Sequence, residues 1–158
     1  VNAVGLLEDI PYATFTSADL MRALSANTLS GVLLTRMMGA AMSKRQWGRI
    51  VHLSSIGVKF GGGASTFCYS FSKHAAEFFP AEIRKWAKSN VLVNVVRIGI
   101  TDTRIHKRIS SKNIEERIRQ IPANRMATPA EMAQSIYWIG SEANTYMTGQ
   151  VIAVAGGE

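Results

Sequence analysis

The stretch that decides the fold is GRIVHLSSIG, residues 48–57, followed after a glycine-rich loop by YSFSKHA, residues 69–75. The first segment is apolar and β-branched until it ends in two serines, which is typical of a buried strand. In the second segment Tyr69 and Lys73 are four residues apart, so on a helix they share one face, about one turn apart. The two segments predict a strand, a loop and a helix that carries a tyrosine–lysine pair.

The tyrosine–lysine pair has a specific chemical use. A free phenol has a pKa of about 10 and is a poor acid–base catalyst at neutral pH. An ammonium beside Tyr69 favours the phenolate, so Lys73 is predicted to lower the pKa of Tyr69 toward neutrality. On spacing alone, an exposed lysine beside a half-buried tyrosine is the more frequent explanation, and the surrounding sequence must decide between the two.

That surrounding sequence resembles the short-chain dehydrogenase/reductase family, in which a buried strand ends in serine and Tyr-x-x-x-Lys opens the next long helix. Further motifs of the family occur at residues 27–31, 125–129, 148–151 and 156–157, so the resemblance spans nearly the whole chain. It implies an α/β fold, a Rossmann-like doubly wound parallel sheet that forms the C-terminal portion of such a domain. Residues 1–158 are therefore predicted to be a single domain, incomplete relative to the family.

Hydrophobic periodicity predicts the same order of elements. Short apolar runs predict strands over residues 50–53, 91–96 and 151–154. Longer patterns predict helices over residues 19–42, 65–89, 105–119 and 129–141. Pro80 lies inside the second helix and is predicted to kink it. The two strand–helix–strand crossovers that result predict a parallel sheet.

The resemblance implies a catalytic tetrad of Asn27, Ser55, Tyr69 and Lys73. Tyr69 would exchange a proton with the substrate oxygen, and Lys73 would also bind the nicotinamide ribose. Ser55 would orient the substrate oxygen, and Asn27 would kink its helix and hold a proton-relay water. Two alternatives stay open: Asn27 also fits a solvated polar position, and Ser54 could replace Ser55 because a one-residue slip reverses the side-chain direction of a strand.

The activity implied is the interconversion of a small-molecule secondary alcohol and ketone with NAD or NADP. The resemblance assigns the cofactor to Asn2, Gly5, Tyr69, Lys73, Gly99, Ile100 and Thr103. Two of these turns depart from the family, which has Asn-Asn-Ala-Gly at residues 2–5 and Pro-Gly at residues 98–99. Thr103 is equally well explained as a helix N-cap.

The Gly-rich first turn that holds a pyrophosphate in the family is not found in this sequence, because G-x-G-x-x-G does not occur in it. The family has three βα units ahead of this point, so roughly 80–90 residues are expected to be missing. The rival hypothesis is therefore a catalytically incompetent fragment, or a related subunit used for binding or assembly. The choice between NAD and NADP, the substrate and the reaction direction stay open.

The distribution of positive charge indicates which partners the protein can bind. The charge of +7 comes from scattered cations and a cluster over residues 104–112, without the interleaved aromatics of a nucleic-acid platform. That cluster fits a solvated helix face or the lining of a site for an anionic substrate or a cofactor phosphate. We predict no nucleic-acid partner. The resemblance implies a homodimer or homotetramer, formed by the helices over residues 19–42 and 65–89.

The cysteine and histidine residues and the apolar runs indicate where the protein is located and whether it binds a metal or a membrane. Cys68 is the only cysteine, so it predicts a reducing, cytoplasmic location, and a small buried hydrophobe is favoured over a reactive thiol. No apolar run reaches the roughly 18 residues of a membrane span, which predicts no membrane partner. The histidines at positions 52, 74 and 106 lack metal-ligand spacing, so no metal site is predicted.

Overall fold

The structure, a computed structural model, describes residues 1–109 and 113–158. Its sheet has the strand order β1–β2–β3, with all strands parallel. The strands are Gly48–Ser55 (β1), Val91–Ile98 (β2) and Val151–Val154 (β3). The α-helices are Ser17–Leu24 (α1), Ser30–Lys44 (α2), Phe67–Ala75 (α3), Ile83–Lys88 (α4), Ile114–Arg119 (α5) and Pro129–Ile139 (α6). This arrangement confirms the predicted α/β, Rossmann-like fold.

Both faces of the sheet are covered, which explains why β2 is apolar along most of its length. One face packs Ile50 and Val93 against Trp86 of α4. The other face packs Val51 and Val96 against α6. Because the strands are parallel, their carboxyl ends lie at one edge of the sheet, where ligands bind in folds of this kind.

The first long helix contains a π-helical turn in its middle. Thr16 caps α1 by accepting a hydrogen bond from the Asp19 backbone N–H, and the Asp19 carboxylate accepts one from the Thr16 N–H in return. The turn Ser25–Leu29 then joins α1 to α2, so helical structure continues through Asn27 without a break. Such a turn inserts an extra residue and is frequent at functional sites.

The prediction of one kinked helix over residues 65–89 is wrong. Helix α3 ends at Ala75, and α4 begins at Ile83. Pro80 lies between them, where it has no N–H to donate and disfavours helical geometry in the residue before it. The proline therefore separates two helices, and α3 extends only two residues beyond Lys73.

The predicted helix over residues 105–119 is also wrong. A short 3₁₀ helix, Arg104–Arg108, and helix α5 take its place. Positions 110–112, which belong to the predicted helix and to the predicted basic cluster, lie outside the described residues. The predictions for α6 and β3 are confirmed, with Thr128 and Glu131 forming a capping box. Strands β1 and β2 are longer than predicted because their pairing continues to Ser55 and Ile98.

Asn2 lies at the free edge of β1. Its N–H donates to the Val51 carbonyl, and its own carbonyl accepts from the Leu53 N–H, which makes a single parallel bridge. This bridge places residues 3–7 beside the carboxyl end of β1. None of the helices within residues 1–109 and 113–158 is long and apolar enough to cross a bilayer.

Candidate active site

A cavity of about 930 Å³ opens at the carboxyl ends of the strands. Sites for small ligands have volumes of about 300–1,000 Å³, so the size suits a ligand. The predicted site residues that line it are Gly5, Ser55, Tyr69, Lys73, Gly99, Ile100 and Thr103. Asn2 and Asn27 are not among its lining residues.

Lys73 projects from α3 into a buried position and is 4% exposed. Its Nζ donates to the carbonyl oxygens of Val4, at 2.9 Å, and of Leu53, at 2.8 Å. An ammonium has three donors, so one N–H is left for a ligand in the cavity that Lys73 lines. Burial lowers the pKa of Lys73 to about 8, so the group keeps most of its charge at neutral pH.

Tyr69 lies on the same face of α3, one turn before Lys73. Burial raises the pKa of Tyr69, and a hydrogen bond with the Ser55 hydroxyl acts in the opposite direction. The Lys73 Nζ is 5.9 Å from the Tyr69 ring centroid. The prediction that Lys73 lowers the pKa of Tyr69 is therefore not met here, because burial outweighs the hydrogen bond and the phenol stays protonated at neutral pH.

The two adjacent serines use their hydroxyls differently. Ser55 contacts Tyr69 and accepts a hydrogen bond from the Gly57 N–H at 3.1 Å. Ser54 is 3% exposed and donates to Glu77 Oε1 at 2.7 Å. Successive side chains of a strand point to opposite faces, which separates the two hydroxyls. Ser55 is the serine that bonds to the tyrosine.

Asn27 is 2% exposed, so its reading as a solvated polar position is wrong. Its Oδ1 accepts from the Leu6 N–H at 2.6 Å, and its Nδ2 donates to the Leu6 carbonyl at 2.9 Å and to Ser72 Oγ at 2.8 Å. Ser72 Oγ in turn donates to the Tyr69 carbonyl at 2.7 Å. Asn27 thus connects the π turn to the backbone of Tyr69 and to the segment that leads into the cavity.

The remaining residues predicted to bind the cofactor, Gly99, Thr103 and Asn2, shape the backbone turns near the cavity. A Cβ at Gly99 would lie 2.6 Å from Ala155 Cα, so only glycine allows the chain after β2 to pass so close to the end of β3. Thr103 donates to the Thr101 carbonyl at 3.4 Å and makes no side-chain cap. Asn2 Oδ1 accepts from the Val4 N–H at 3.3 Å, so Asn2 supports the turn before Gly5.

The sequence did not reveal two ion pairs close to this site. Glu77 joins Ser54 to Arg97 behind α3, and at the cavity wall Arg117 bonds to Glu158 and lies 5.8 Å from the Phe60 ring centroid. Residues so far apart in sequence leave no local pattern that reveals the pairing. Cys68, the residue before Tyr69, is buried, and burial raises the pKa of its thiol, as expected for a small buried hydrophobe rather than a reactive thiol.

A parallel α/β sheet, a tyrosine and lysine on one helix face, and a serine at the end of the neighbouring strand meet at one ligand-sized cavity. This combination defines the class of Rossmann-like domains with a Tyr-x-x-x-Lys helix. A family model described as Enoyl-(Acyl carrier protein) reductase matches residues 1–158. The chain belongs to the short-chain dehydrogenase/reductase family.

The matches to individual relatives include nearly all of this chain but less than two thirds of each relative. The chain is 34% identical over 158 residues to a 3-oxoacyl-(acyl-carrier-protein) reductase of Aquifex aeolicus, covering 99% of this chain and 63% of the relative. It is 30% identical over 160 residues to a 2-dehydro-3-deoxy-D-gluconate 5-dehydrogenase of Bacillus subtilis, again covering 99% and 63%. The chain thus spans less than two thirds of the length of these curated relatives.

A solved structure gives the same picture in three dimensions. The crystal structure of a 3-oxoacyl (acyl-carrier-protein) reductase from Agrobacterium tumefaciens C58 with NADP bound is 27% identical. It superposes with a TM-score of 0.85 and covers 100% of this chain and 62% of that chain. The similarity confirms that the sheet and its helices form part of a domain of this family.

Proposed function

We propose that this protein is an NAD(P)-dependent oxidoreductase that interconverts a secondary alcohol and a ketone. The observation that carries the proposal is the Lys73 ammonium, which is buried beside Tyr69 and bonded to two backbone carbonyls. A buried charge is costly to keep, and perturbed groups of this kind concentrate at functional sites. Lys73 also lines a ligand-sized cavity together with Tyr69 and Ser55.

The residues present fit a nicotinamide nucleotide, either NAD or NADP. Lys73 has one donor left for a ribose hydroxyl, and the backbone at Gly99 and Ile100 borders the same cavity. Gly5 and Thr103 border it as well, while Asn2 would support the turn. A bound nucleotide would supply or accept the hydride, and the protein would contribute position and electrostatics.

The four proposed catalytic residues divide the remaining work. Tyr69 gives its phenolic proton to the substrate oxygen during reduction, and its raised pKa suits that direction because the phenol is protonated at neutral pH. The Ser55 hydroxyl donates a hydrogen bond to the same oxygen, and Lys73 keeps a positive charge near the phenolate that forms. Asn27 holds the π turn, whose backbone would bind a proton-relay water.

The first test is a thermal-shift titration with NADH and NADPH, in which a ligand that binds only the folded state raises the melting temperature. We expect a saturable shift with one of them. The first trial substrates are acetoacetyl-CoA with the reduced nucleotide, after a relative named acetoacetyl-CoA reductase, and gluconate with the oxidised nucleotide. Lys73→Met should weaken the shift, whereas Lys85→Met, a change of an exposed side chain on α4, should not. No shift with either nucleotide would favour the rival hypothesis of an incompetent fragment or a binding subunit.

We also propose that the protein is a homodimer or homotetramer. Large apolar side chains are exposed along α2 and near α3, at a density that is unusual for a free surface. They are Leu29, Val32, Leu33, Leu34, Met37, Met38, Phe71 and Phe78. Light scattering should show an oligomer that Met37→Glu weakens, and a monomer at micromolar concentration would contradict the proposal. The cytoplasmic location stays a prediction.

A further inference from the structure

A buried carboxylate lies directly behind the helix of Tyr69 and Lys73. Glu77 is 8% exposed, and its Oε1 accepts from Ser54 Oγ and from Arg97 Nε, both at 2.7 Å. Its Oε2 accepts from Arg97 Nη2 at 2.7 Å and lies 3.3 Å from His74 Nδ1. The carboxylate therefore has partners for both oxygens, including a bidentate guanidinium, which is the strongest geometry for such a pair.

The strand register explains why these partners meet. Ser54 of β1 lies directly opposite Arg97 of β2. Residues opposite each other in a parallel pair project from the same face of the sheet, and α3 packs against β1. One carboxylate, Glu77, thus joins two strands to the segment that follows α3.

The same network touches the backbone of Lys73. Ser54 Oγ also lies 3.2 Å from the Lys73 carbonyl oxygen, so its single O–H proton is shared between that carbonyl and Glu77. Lys73 is the third residue from the end of α3, and the last four carbonyls of a helix have no partner within it. Helix ends open more easily than helix centres, so a tether at this carbonyl acts where the helix is least stable.

We propose that Glu77, Ser54 and Arg97 form a positioning clamp that fixes the end of α3, and hence the Lys73 ammonium, against β1 and β2. Ser54 is adjacent to Ser55, so the clamp also fixes the strand end that carries the Ser55 hydroxyl. Ser54 borders the cavity but its hydroxyl is bonded to Glu77, and neither Glu77 nor Arg97 lines the cavity, so the three act through the groups that they hold in place. The inference deepens the proposed function and rests on it for the step that concerns turnover.

The charges of the clamp are stable near neutral pH. Burial by itself raises the pKa of Glu77, but hydrogen bonds from Arg97 and Ser54 more than offset this effect and lower the pKa. The hydrogen bond to Glu77 raises the pKa of Arg97 in turn. An ionised pair of this kind can often be replaced by apolar residues of similar volume without loss of stability, whereas removal of one partner leaves an unpaired charge.

Variants that leave no unpaired buried charge can separate a positioning role of the clamp from a role in stability alone. The double variant Glu77→Leu/Arg97→Met removes the pair without leaving a buried charge. Ser54→Ala removes the hydroxyl that reaches the Lys73 carbonyl and Glu77, while the Glu77–Arg97 pair remains. Glu82→Gln is the matched control, because Glu82 forms an exposed ion pair with Lys85 on the next helix. Circular dichroism and urea unfolding identify the variants that keep the native fold.

The decisive readout is the pKa of Lys73, measured by competitive labelling with acetic anhydride and mass spectrometry across pH. A displaced ammonium gains water, so we expect the pKa of Lys73 to rise by about one unit in Ser54→Ala and in the double variant. The control should match the wild type. An unchanged pKa of Lys73 in both folded clamp variants would overturn the proposal.

Turnover of acetoacetyl-CoA with NADPH provides the second readout. A small misplacement of catalytic groups lowers the rate much more than it weakens binding, so kcat should fall about 10–100-fold while KM changes less than about threefold. A wild-type chain that binds neither nucleotide would contradict the proposed function. The labelling experiment needs no substrate or cofactor, so it would still decide whether the clamp positions Lys73.

Discussion

The two sides of the cavity are built very differently. One side, the catalytic wall, consists of Ser55 on a strand and of Tyr69 and Lys73 on a helix, and the Lys73 ammonium is held by two backbone carbonyls. The other side, the cover, consists of the 3₁₀ helix Arg104–Arg108 and helix α5. Helix α5 has six residues, none of which is buried.

The two sides of the cavity differ in how firmly tertiary contacts hold them. A six-residue helix is only marginally stable by itself, so α5 depends on contacts such as the ion pair between Arg117 and Glu158. The catalytic wall instead belongs to the central sheet and to a helix tied down by Asn27 and Ser72. The proposed catalytic groups therefore lie on the side that is held by the sheet and by buried hydrogen bonds, and the side formed by α5 has no buried residue.

The largest expected effect comes from removing the phenolic proton. Tyr69→Phe should reduce turnover about 10³-fold or more, because general acid–base catalysis contributes about 10²–10⁴-fold. The variant should fold normally, as judged by circular dichroism. Tyr137→Phe on the exposed face of α6 is the control and should keep full activity. Substantial activity in Tyr69→Phe would show that the proton comes from another group.

The next effect tests the rigidity of the wall. Asn27→Ala leaves the Leu6 N–H and carbonyl without their partner, which should lower the free energy of unfolding by about 3 kcal/mol. On the cover, Asn113→Ala removes the exposed cap of α5 and should lower it by at most about 1 kcal/mol. Urea unfolding of both variants measures the difference, and equal losses would contradict the contrast between the two sides.

The pH dependence of stability tests the buried ammonium. The pKa of Lys73 is lowered from 10.5 to about 8 in the folded protein, so between these values the unfolded chain binds more protons. The free energy of unfolding should therefore rise with pH in this window, by about 2–3 kcal/mol relative to Lys73→Met. Urea unfolding at pH values across the window measures this, and parallel curves for the two proteins would rule out a lowered pKa.

The smallest effect concerns the cover. Ile105 lines the cavity without bonding to the proposed catalytic residues. Ile105→Ala should raise KM about tenfold, because Ile105 is only half-buried and its contact is expected at the low end of the range of about 1–3 kcal/mol that one methylene in a hydrophobic pocket contributes. The free energy of unfolding and kcat should stay close to the wild-type values. A large fall in kcat would show that the cover also places the reacting groups.

Much of the fold was predictable because it follows from local patterns. Short apolar runs predicted the three strands, and apolar periodicity predicted α6, whose N-terminus Thr128 and Glu131 cap. The helix over residues 65–89 was mispredicted because apolar periodicity continued past Pro80, and only the packed chain showed that α3 ends at Ala75. The roles of the site residues came from the family resemblance and stay proposals.

The sequence by itself determined the class of the fold and the spacing that puts Tyr69 and Lys73 on one helix face, since both depend on residues close together in the chain. The tertiary structure decided what surrounds them. It placed the carbonyls of Val4 and Leu53 at the Lys73 ammonium. Burial at this place raises the pKa of Tyr69 and lowers the pKa of Lys73. It also brought Glu77 to Arg97, because desolvation and pairing depend on neighbours that only folding brings together.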